Sequence, residues 1–464
     1  MALCTLYGLG FQTRLFGDGP GLVAFHALGR GDDYHHVLYL PVLRLLESLL
    51  GSGDPFTAPR VAAFAAAGLG GGLAYGVARG LGARGPQALV GVLLMALSPA
   101  VWFYGTAIEV YSLHYVAVSL CACLTLFAPW RRPAAALAVV ALAFPLLNLT
   151  HQTAALLGPG WVALVAYARA RRAPAFRLRT LILGVGPLLL AVLIGSMGLA
   201  NVARGRGLGL HLGAEVAFIE AFSAASTVPS FLWRGWLAPL ALLLPAAALG
   251  LLRARAEPPR LVALAVLMGV PLVVFSLWSV PERGGYFLAT APFYAAAAAL
   301  ALPASGWRLA LVGLALVGVQ AALARRSIER WDRGFDPVER VEAVRRALGE
   351  GGVLVSVDNH AVPIEVFLPG VEEIHATAHW IVPAVEADLP TEAFAAAGIE
   401  FLDMKLRSTP VAFDMSFYRL PELRRTAYTF PYMDALLARV EERYRTTAFP
   451  HPDWSMLRVE LPPE

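Results

Sequence analysis

The chain has 464 residues, 58% hydrophobic and only 15% charged, with a formal net charge of +4. Soluble domains carry about 25% charged residues, so the composition excludes an ordinary soluble protein and reads as an integral membrane one. Lys405 is the only lysine, and arginines at helix ends meet the positive-inside rule without any nucleic-acid partner.

The first element is an apolar run from Met1 to Phe11, too short to cross alone at 1.5 Å per residue. No h-region with a small-residue cleavage site follows, so no removable signal peptide is expected. Gly17 to Pro41 then gathers Asp18, Asp32, Asp33, His35 and His36 into one polar segment. It is either an ordinary solvated loop or proton-transfer chemistry held against a bilayer. Asp32 with His35 or His36 has i, i+3/i+4 spacing, which can hold a divalent metal, although a sequence-local Asp/His pair is a weak signal. Residues 35–50 show helical apolar spacing broken by Arg44 and Glu47, the pattern of an interfacial amphipathic helix.

A helix needs about 20 apolar residues to cross the hydrocarbon. Spans are expected near 59–80, 86–104, 112–129, 133–150, 153–168, 179–200, 236–252, 260–280, 285–303 and 307–324, about eleven crossings if the first run counts. Cys4, Cys121 and Cys123 fall in apolar runs and read as packing residues. Arg79 and Arg84, Arg131 and Arg132, Arg169 to Arg179, and Arg253 to Arg260 occupy alternate loops, which should be cytoplasmic. The loops 12–58, 105–111, 149–152, 201–235 and 281–284 are then extracytoplasmic. Arg325, Arg326, Arg330 and Arg333 run against this, following the last span on the outer side.

From about 325 the composition changes. Asp336 to Leu348 reads as a charged amphipathic helix. Short strands are expected at Gly352–Val357, Glu373–Thr377 and Ile399–Met404, with helices between. The expected architecture is mainly α: a polytopic membrane helix bundle over 1–324 and a small extracytoplasmic α/β domain over 325–464. No glycine-rich phosphate loop follows any strand.

Once sidedness is assigned, the polar residues fall on one face. Asp18, Asp32, Asp33, His35 and His36 share the first outer loop. Glu109, Tyr111 and His114 open a span there, Asn148 and His151 close another, and Glu282, Arg283 and Tyr286 flank a third. Ionisable groups at membrane depth are costly and usually face a cavity or one another. Each also has a plainer explanation: Trp102, Tyr111 and Tyr115 as an aromatic belt, Asn148 and His151 as interhelical bonding groups, Arg283 as a snorkelling anchor.

The order of these motifs resembles the bacterial branch of the GT-C membrane glycosyltransferases related to protein O-mannosyltransferases. Gly17-Asp18-Gly-Pro-Gly-Leu22-Val23 is similar to the segment that follows the first helix in that branch, and His35-His-Val-Leu-Tyr39-Leu-Pro41 to the one opening its interfacial helix. Trp102 with Glu109-Val110-Tyr111, Asn148-Leu-Thr-His151-Gln-Thr153, and Pro281-Glu-Arg283-Gly-Gly-Tyr286 with Pro292 match its later signatures. The chain departs from the pattern at Gly21, where an acidic residue often stands, and in the prolines around His35.

The resemblance implies a bacterial inner-membrane enzyme moving a sugar from a polyprenyl-phosphate donor to an acceptor hydroxyl on the extracytoplasmic face. Asp18 is then the expected general base, with Asp32 or Asp33 as alternatives. Arg283 would hold the lipid phosphate, His35 or His151 would donate, and Glu109 and Tyr111 would orient the sugar or hold the outer loop. His36, Tyr39, Asn148 and Tyr286 complete the expected substrate site. No cofactor is assigned, the divalent metal already considered remaining an open alternative, and the partners are a lipid-linked sugar, an acceptor of unknown identity and membrane lipid, with no nucleic acid. Competing readings are a transporter or flippase of lipid-linked sugars, whose mark would be inverted repeats and broken helices around midplane charges, and an inactive assembly protein.

Overall fold

In a bilayer an apolar chain satisfies its backbone polar groups by bonding them within helices, and helices dominate the computed structural model. It describes residues 1–12, 19–27, 38–172, 228–276, 282–331, 336–357, 364–416, 429–451 and 454–462. Two compact units emerge: Met1–Gln12 with Gly31–Asp332, and Thr13–Arg30 with Arg333–Glu464.

The first unit opens with α1 (Ala2–Leu9), while α2 (Gly19–Ala27) groups with the second. Next come α3 (Tyr39–Leu50), α4 (Thr57–Gly80), α5 (Gly85–Ala96), α6 (Pro99–Thr106), α7 (Tyr111–Phe127), α8 (Pro133–Thr150) and α9 (Gly158–Arg172). After Leu232–Leu240 follow α10 (Leu243–Ala254), α11 (Pro258–Phe275), α12 (Ala291–Ala301) and α13 (Trp307–Trp331). Among the described residues, four helical stretches are long and apolar enough to cross a membrane: α4, α11, Arg283–Ala301 and α13. Two bent pairs raise this to six, α5 with α6 at 66° and Leu232–Leu240 with α10 at 81°. The protein is therefore an integral, multi-pass helical bundle.

The spans expected at 86–104 and 236–252 are thus broken helices. Pro99, which has no N–H to give, starts α6 at the first break, and Ala241 takes a positive φ of 46° at the second. The span expected at 153–168 starts as a 3₁₀ turn over Gln152–Leu157 before α9 begins. The one at 179–200 lies outside the described residues. Helix α3, with 12 residues, is about 18 Å long and cannot cross about 30 Å of hydrocarbon. Its Tyr39, Leu40 and Leu43 are buried while Leu45 and Leu49 are exposed.

Small residues set the packing, because in lipid close van der Waals approach replaces the hydrophobic drive between helices. Helix α12 is buried along Ala291–Ala299. A methyl at Gly91 of α5 would come within 2.5 Å of the Ala295 carbonyl, and one at Gly250 of α10 would overlap that of Ala297. Helix α4 runs unbroken through Gly70–Gly72, with Tyr115 of α7 lying over Gly70. The outside is apolar: Leu249, Val273, Leu311 and Leu314 are all exposed.

The second unit contains a five-stranded sheet in the order β2-β1-β3-β5-β4, formed by β1 (Gly352–Ser356), β2 (Val371–His375), β3 (Val411–Asp414), β4 (Arg445–Phe449) and β5 (Met456–Glu460). β1 pairs in parallel with β2 and β3, and β5 pairs antiparallel with β3 and β4. Helix α14 (Pro337–Leu348) covers one face with Val344 and Leu348 against Leu354 and Ala412. Helices α15 (Thr391–Leu406) and α16 (Thr429–Arg443) cover the other. The strand expected at Ile399–Met404 is the second half of α15. Phe394, Ala395, Gly398 and Leu402 are its buried positions, a helical spacing that the short apolar run conceals when read alone.

Candidate active site at the polar end of the bundle

The antiparallel run of the helices sorts the chain into two ends. Helix α7 begins at Tyr111 and ends at Phe127, about 25 Å away, and α4, α9, α10 and α12 finish where α7 does. The last carbonyls of a helix have no partner within it, and here arginines from the expected cytoplasmic loops supply one. Arg171 Nη1 donates to Gly80 O at 2.7 Å, Arg172 to Ala128 O at 2.8 Å, Arg260 to Leu81 O at 3.1 Å and Arg253 to Leu302 O at 3.1 Å. The alternate arginine loops therefore meet at one end of the bundle, where positive charge also suits the helix dipoles.

The opposite end gathers the polar and aromatic residues. Tyr111, in the first turn of α7, stacks on His151 with ring centroids 5.5 Å apart, and meets Tyr104 at 5.0 Å and Tyr286 at 6.0 Å edge to face. Tyr286 stacks in turn on Phe275 at 4.6 Å. Glu109 is buried, its carboxylate accepting from the Val110 N–H at 3.1 Å. Four segments distant in sequence thus share one aromatic-walled cluster.

Hydrogen bonds assign the two histidines. His151 Nδ1 accepts from the Thr153 N–H at 3.1 Å, which in a neutral ring puts the proton on Nε2. Thr150 gives its hydroxyl proton to Leu147 O at 2.7 Å and lies 2.9 Å from His114 Nδ1, which makes that nitrogen the donor and leaves Nε2 as the acceptor of a neutral His114. The rings lie 5.2 Å apart.

Arg283 stands in the left-handed region, φ 46° and ψ 28°, followed by Gly284 at φ 86°. That conformation costs a non-glycine residue roughly 1–2 kcal/mol, and strain of this kind clusters at functional sites. It places the guanidinium over the Phe103 ring, 5.0 Å from its centroid. A methyl at Gly285 would lie 2.8 Å from both Tyr104 Oη and a ring carbon of Tyr111, so the glycine pair lets the backbone pass directly behind the cluster. The Arg-Gly-Gly-Tyr string carried that signal; the contributions of Phe103, Tyr104 and Phe275 had none that distinguished them from other buried aromatics.

Asp18, Asp32, Asp33, His35 and His36 lie outside the described residues, as do the side chains of Asn148 and Glu282. Asn148 itself falls in the last turn of α8, and Tyr39 is buried at the head of α3. Both flanks of the 13–37 segment are nonetheless tied to the polar end. Gln12 N donates to Thr106 O at 2.8 Å, and Leu38 N to Leu149 O at 3.1 Å, two residues before His151. Among the described residues no group of three His, Cys, Asp or Glu can hold a metal, and the Asp32/His35/His36 set considered for one lies outside them.

The overall arrangement matches ArnT from Cupriavidus metallidurans bound to undecaprenyl phosphate, with a TM-score of 0.63 at 14% identity over 100% of this chain and 98% of that one. The chain has the GT-C fold. The apo form of that ArnT gives 0.60 at 15% identity, covering 99% and 97%. The oligosaccharyltransferase of Archaeoglobus fulgidus, in complex with Zn and sulfate, gives 0.58 at 14%, over 99% of this chain and 73% of that one. No protein-family model and no curated protein matches the sequence. In this GT-C fold the membrane bundle and the small α/β unit are both accounted for, because the match runs over the whole chain.

Proposed function

We propose that the chain is a membrane glycosyltransferase that moves a sugar from a polyprenyl-phosphate donor to an acceptor hydroxyl on a protein, lipid or glycan at the extracytoplasmic face of a bacterial inner membrane. The observation carrying this reading is the convergence of Arg283, Tyr286, Tyr111, His151 and Glu109 at one end of a GT-C bundle. The undecaprenyl phosphate bound by the similar ArnT supports a polyprenyl donor. The finer kinship, to the protein O-mannosyltransferase-like branch, rests on the sequence motifs.

In the proposed reaction the acceptor oxygen forms a bond to the anomeric carbon while the bond from that carbon to the phosphate oxygen breaks. The acceptor proton passes to a carboxylate, for which Asp18 is the first candidate and Asp32 and Asp33 the others. The leaving phosphate gains charge, and a planar guanidinium such as Arg283 suits it. In this reading His151 is a candidate donor to the sugar, and Tyr111 and Tyr286 form part of the aromatic wall beside it. A transporter of lipid-linked sugars is favoured only by the two bent helix pairs. Its midplane charges are not seen among the described residues, where the ionisable groups gather at the ends.

The test is release of polyprenyl phosphate from a panel of polyprenyl-phosphate sugars. Asp18→Asn should slow transfer by roughly 10²–10⁴-fold with folded yield unchanged. Normal transfer in that variant, with Asp32→Asn or Asp33→Asn dead, moves the base. No release by the unmodified protein from any donor, together with sugar-lipid movement across vesicles, overturns the enzyme.

A further inference from the structure

The arginine end of the bundle, opposite the proposed reaction site, holds a feature that the proposed chemistry does not use. Between the end of α7 and the first half of α8 lies a cleft of about 300 Å³, lined by Cys123, Leu124, Phe127, Ala128, Pro129 and Val139. Its wall is apolar, and Leu124 and Phe127 are exposed, so a hydrocarbon chain in the surrounding bilayer has direct access.

Cations adjoin the lining residues. Arg172 Nη1 donates to Phe127 O at 3.3 Å and to Ala128 O at 2.8 Å. Its guanidinium lies 6.0 Å from the Phe127 ring, with Nε and Nη2 left over from those two bonds. Arg131 and Arg132, both exposed, follow Pro129 and Trp130 in a turn closed by the Arg132 N–H on Pro129 O at 2.6 Å. Buried Trp130 pins that turn: its Nε1 donates to Thr125 O at 2.9 Å. The cations therefore stand on a fixed support.

Their charge has no acidic neighbour in the local sequence. From Val110 to Ala214 the chain contains no Asp or Glu, so α7, α8, α9 and the turns joining them carry positive charge alone. A membrane-facing apolar slot with Arg172 against its wall and Arg131 and Arg132 in the turn that leaves it complements one kind of molecule, an aliphatic chain attached to an anion at headgroup depth. Zwitterionic lipid offers the chain without the net charge.

We infer that this cleft is a binding site for a glycerophospholipid with an acidic headgroup, one acyl chain lying in the Cys123–Val139 slot and the phosphate between Arg172, Arg131 and Arg132. This site is independent of the donor site, lying about 25 Å along α7 from Tyr111.

Native mass spectrometry of the intact chain from mixed micelles tests it, using phosphatidylglycerol against phosphatidylcholine of the same acyl composition. The unmodified protein should retain phosphatidylglycerol preferentially. Arg131→Gln/Arg132→Gln, which leaves the Arg172 cap on α7 in place, should lower that preference by about fivefold for each arginine lost, from the roughly 1 kcal/mol that each basic residue contributes near an anionic surface. Val139→Trp, which fills the slot, should lower retention of both lipids without changing the preference. Equal retention of the two lipids by the unmodified protein overturns the site, and that comparison depends on no variant's folding. Displacement of phosphatidylglycerol by equimolar undecaprenyl phosphate would also overturn it, by assigning the cleft to the donor.

Discussion

Arg283 separates two physical roles that a membrane-edge arginine can fill. An anchor that only carries charge to the headgroups tolerates lysine, since either cation snorkels. A guanidinium held over Phe103 by a left-handed backbone uses its plane, which an ammonium lacks. If Arg283 holds the donor phosphate as proposed, Arg283→Lys should weaken binding of a polyprenyl phosphate roughly tenfold, about the energy of one charge-assisted hydrogen bond, while expression and membrane insertion stay normal, and Glu282→Gln serves as the control for a neutralising pair. Unchanged affinity in the lysine variant returns Arg283 to anchoring. In the second unit, Arg340 is buried with Glu373 at 2.5 Å and Asp414 at 3.4 Å. Burial works against the Glu373 carboxylate, but the Arg340 charge and its hydrogen bond prevail and hold that carboxyl below the usual range. Burial also pushes the His375 imidazole down, more than nearby Glu373 raises it. Both shifts are depressions, so both contribute stability above the unfolded pKa values and lose it as pH falls. The second unit should weaken in two stages on acidification, the first below about 6.5 from His375 and the second below about 4.3 from Glu373. Proteolysis of the detergent-solubilised chain across pH reads this, and His375→Gln should remove the first stage only.

At the scale of the element, the informative residue is one that the sequence reading passed over. Gln320, fully buried in α13, accepts from the Leu242 N–H at 2.9 Å and donates to Leu94 O at 3.2 Å and Leu240 O at 3.1 Å. Those groups border the two helix breaks, so a single amide ties both bent pairs to the same neighbour. Gln320→Leu should destabilise the bundle by roughly 1–3 kcal/mol, since unpaired buried backbone groups cost that much, seen as a lower thermal midpoint in detergent with retained expression. Gln320→Glu, which can accept but not donate when ionised, should not restore it. The elements legible in the sequence were those with a long period. The span expected at 59–80, the amphipathic helix expected at Asp336–Leu348 and the strand expected at Gly352–Val357 are present as α4, α14 and β1. Strands β4 and β5, whose faces are only partly buried, carry too little alternation to be seen. The 66° and 81° bends depend on what packs against them. At the candidate site, Tyr111, His151, Arg283 and Tyr286 were legible as motif residues, whereas the aromatic walls were not, because burial of Phe or Tyr has no signature in an apolar chain.

For the molecule as a whole, the arginine loops that share one end invite a direct test of orientation. If that end faces the cytoplasm, cysteines introduced in 169–172 should resist a membrane-impermeant reagent in intact cells, while sites in 391–406 should label, with Cys4, Cys121 and Cys123 replaced beforehand. Labelling in the opposite sense would turn the bundle over and remove the proposed reaction from the outer face. Helix α13 runs 25 residues, beyond the apolar stretch, into an exposed Arg325–Glu329 pair at 2.9 Å, and the arginines that follow the last span are what the labelling weighs against the alternate loops. The assignment of α2 to that second unit has a consequence in time. Helix α2 leaves the ribosome early, and the strands and helices it is grouped with are made roughly 300 residues later, some 15–60 s at 5–20 residues per second. Helix α2 thus joins the rest of its unit only near the end of synthesis, and a prematurely ended chain would carry α2 without the strands and helices it is grouped with.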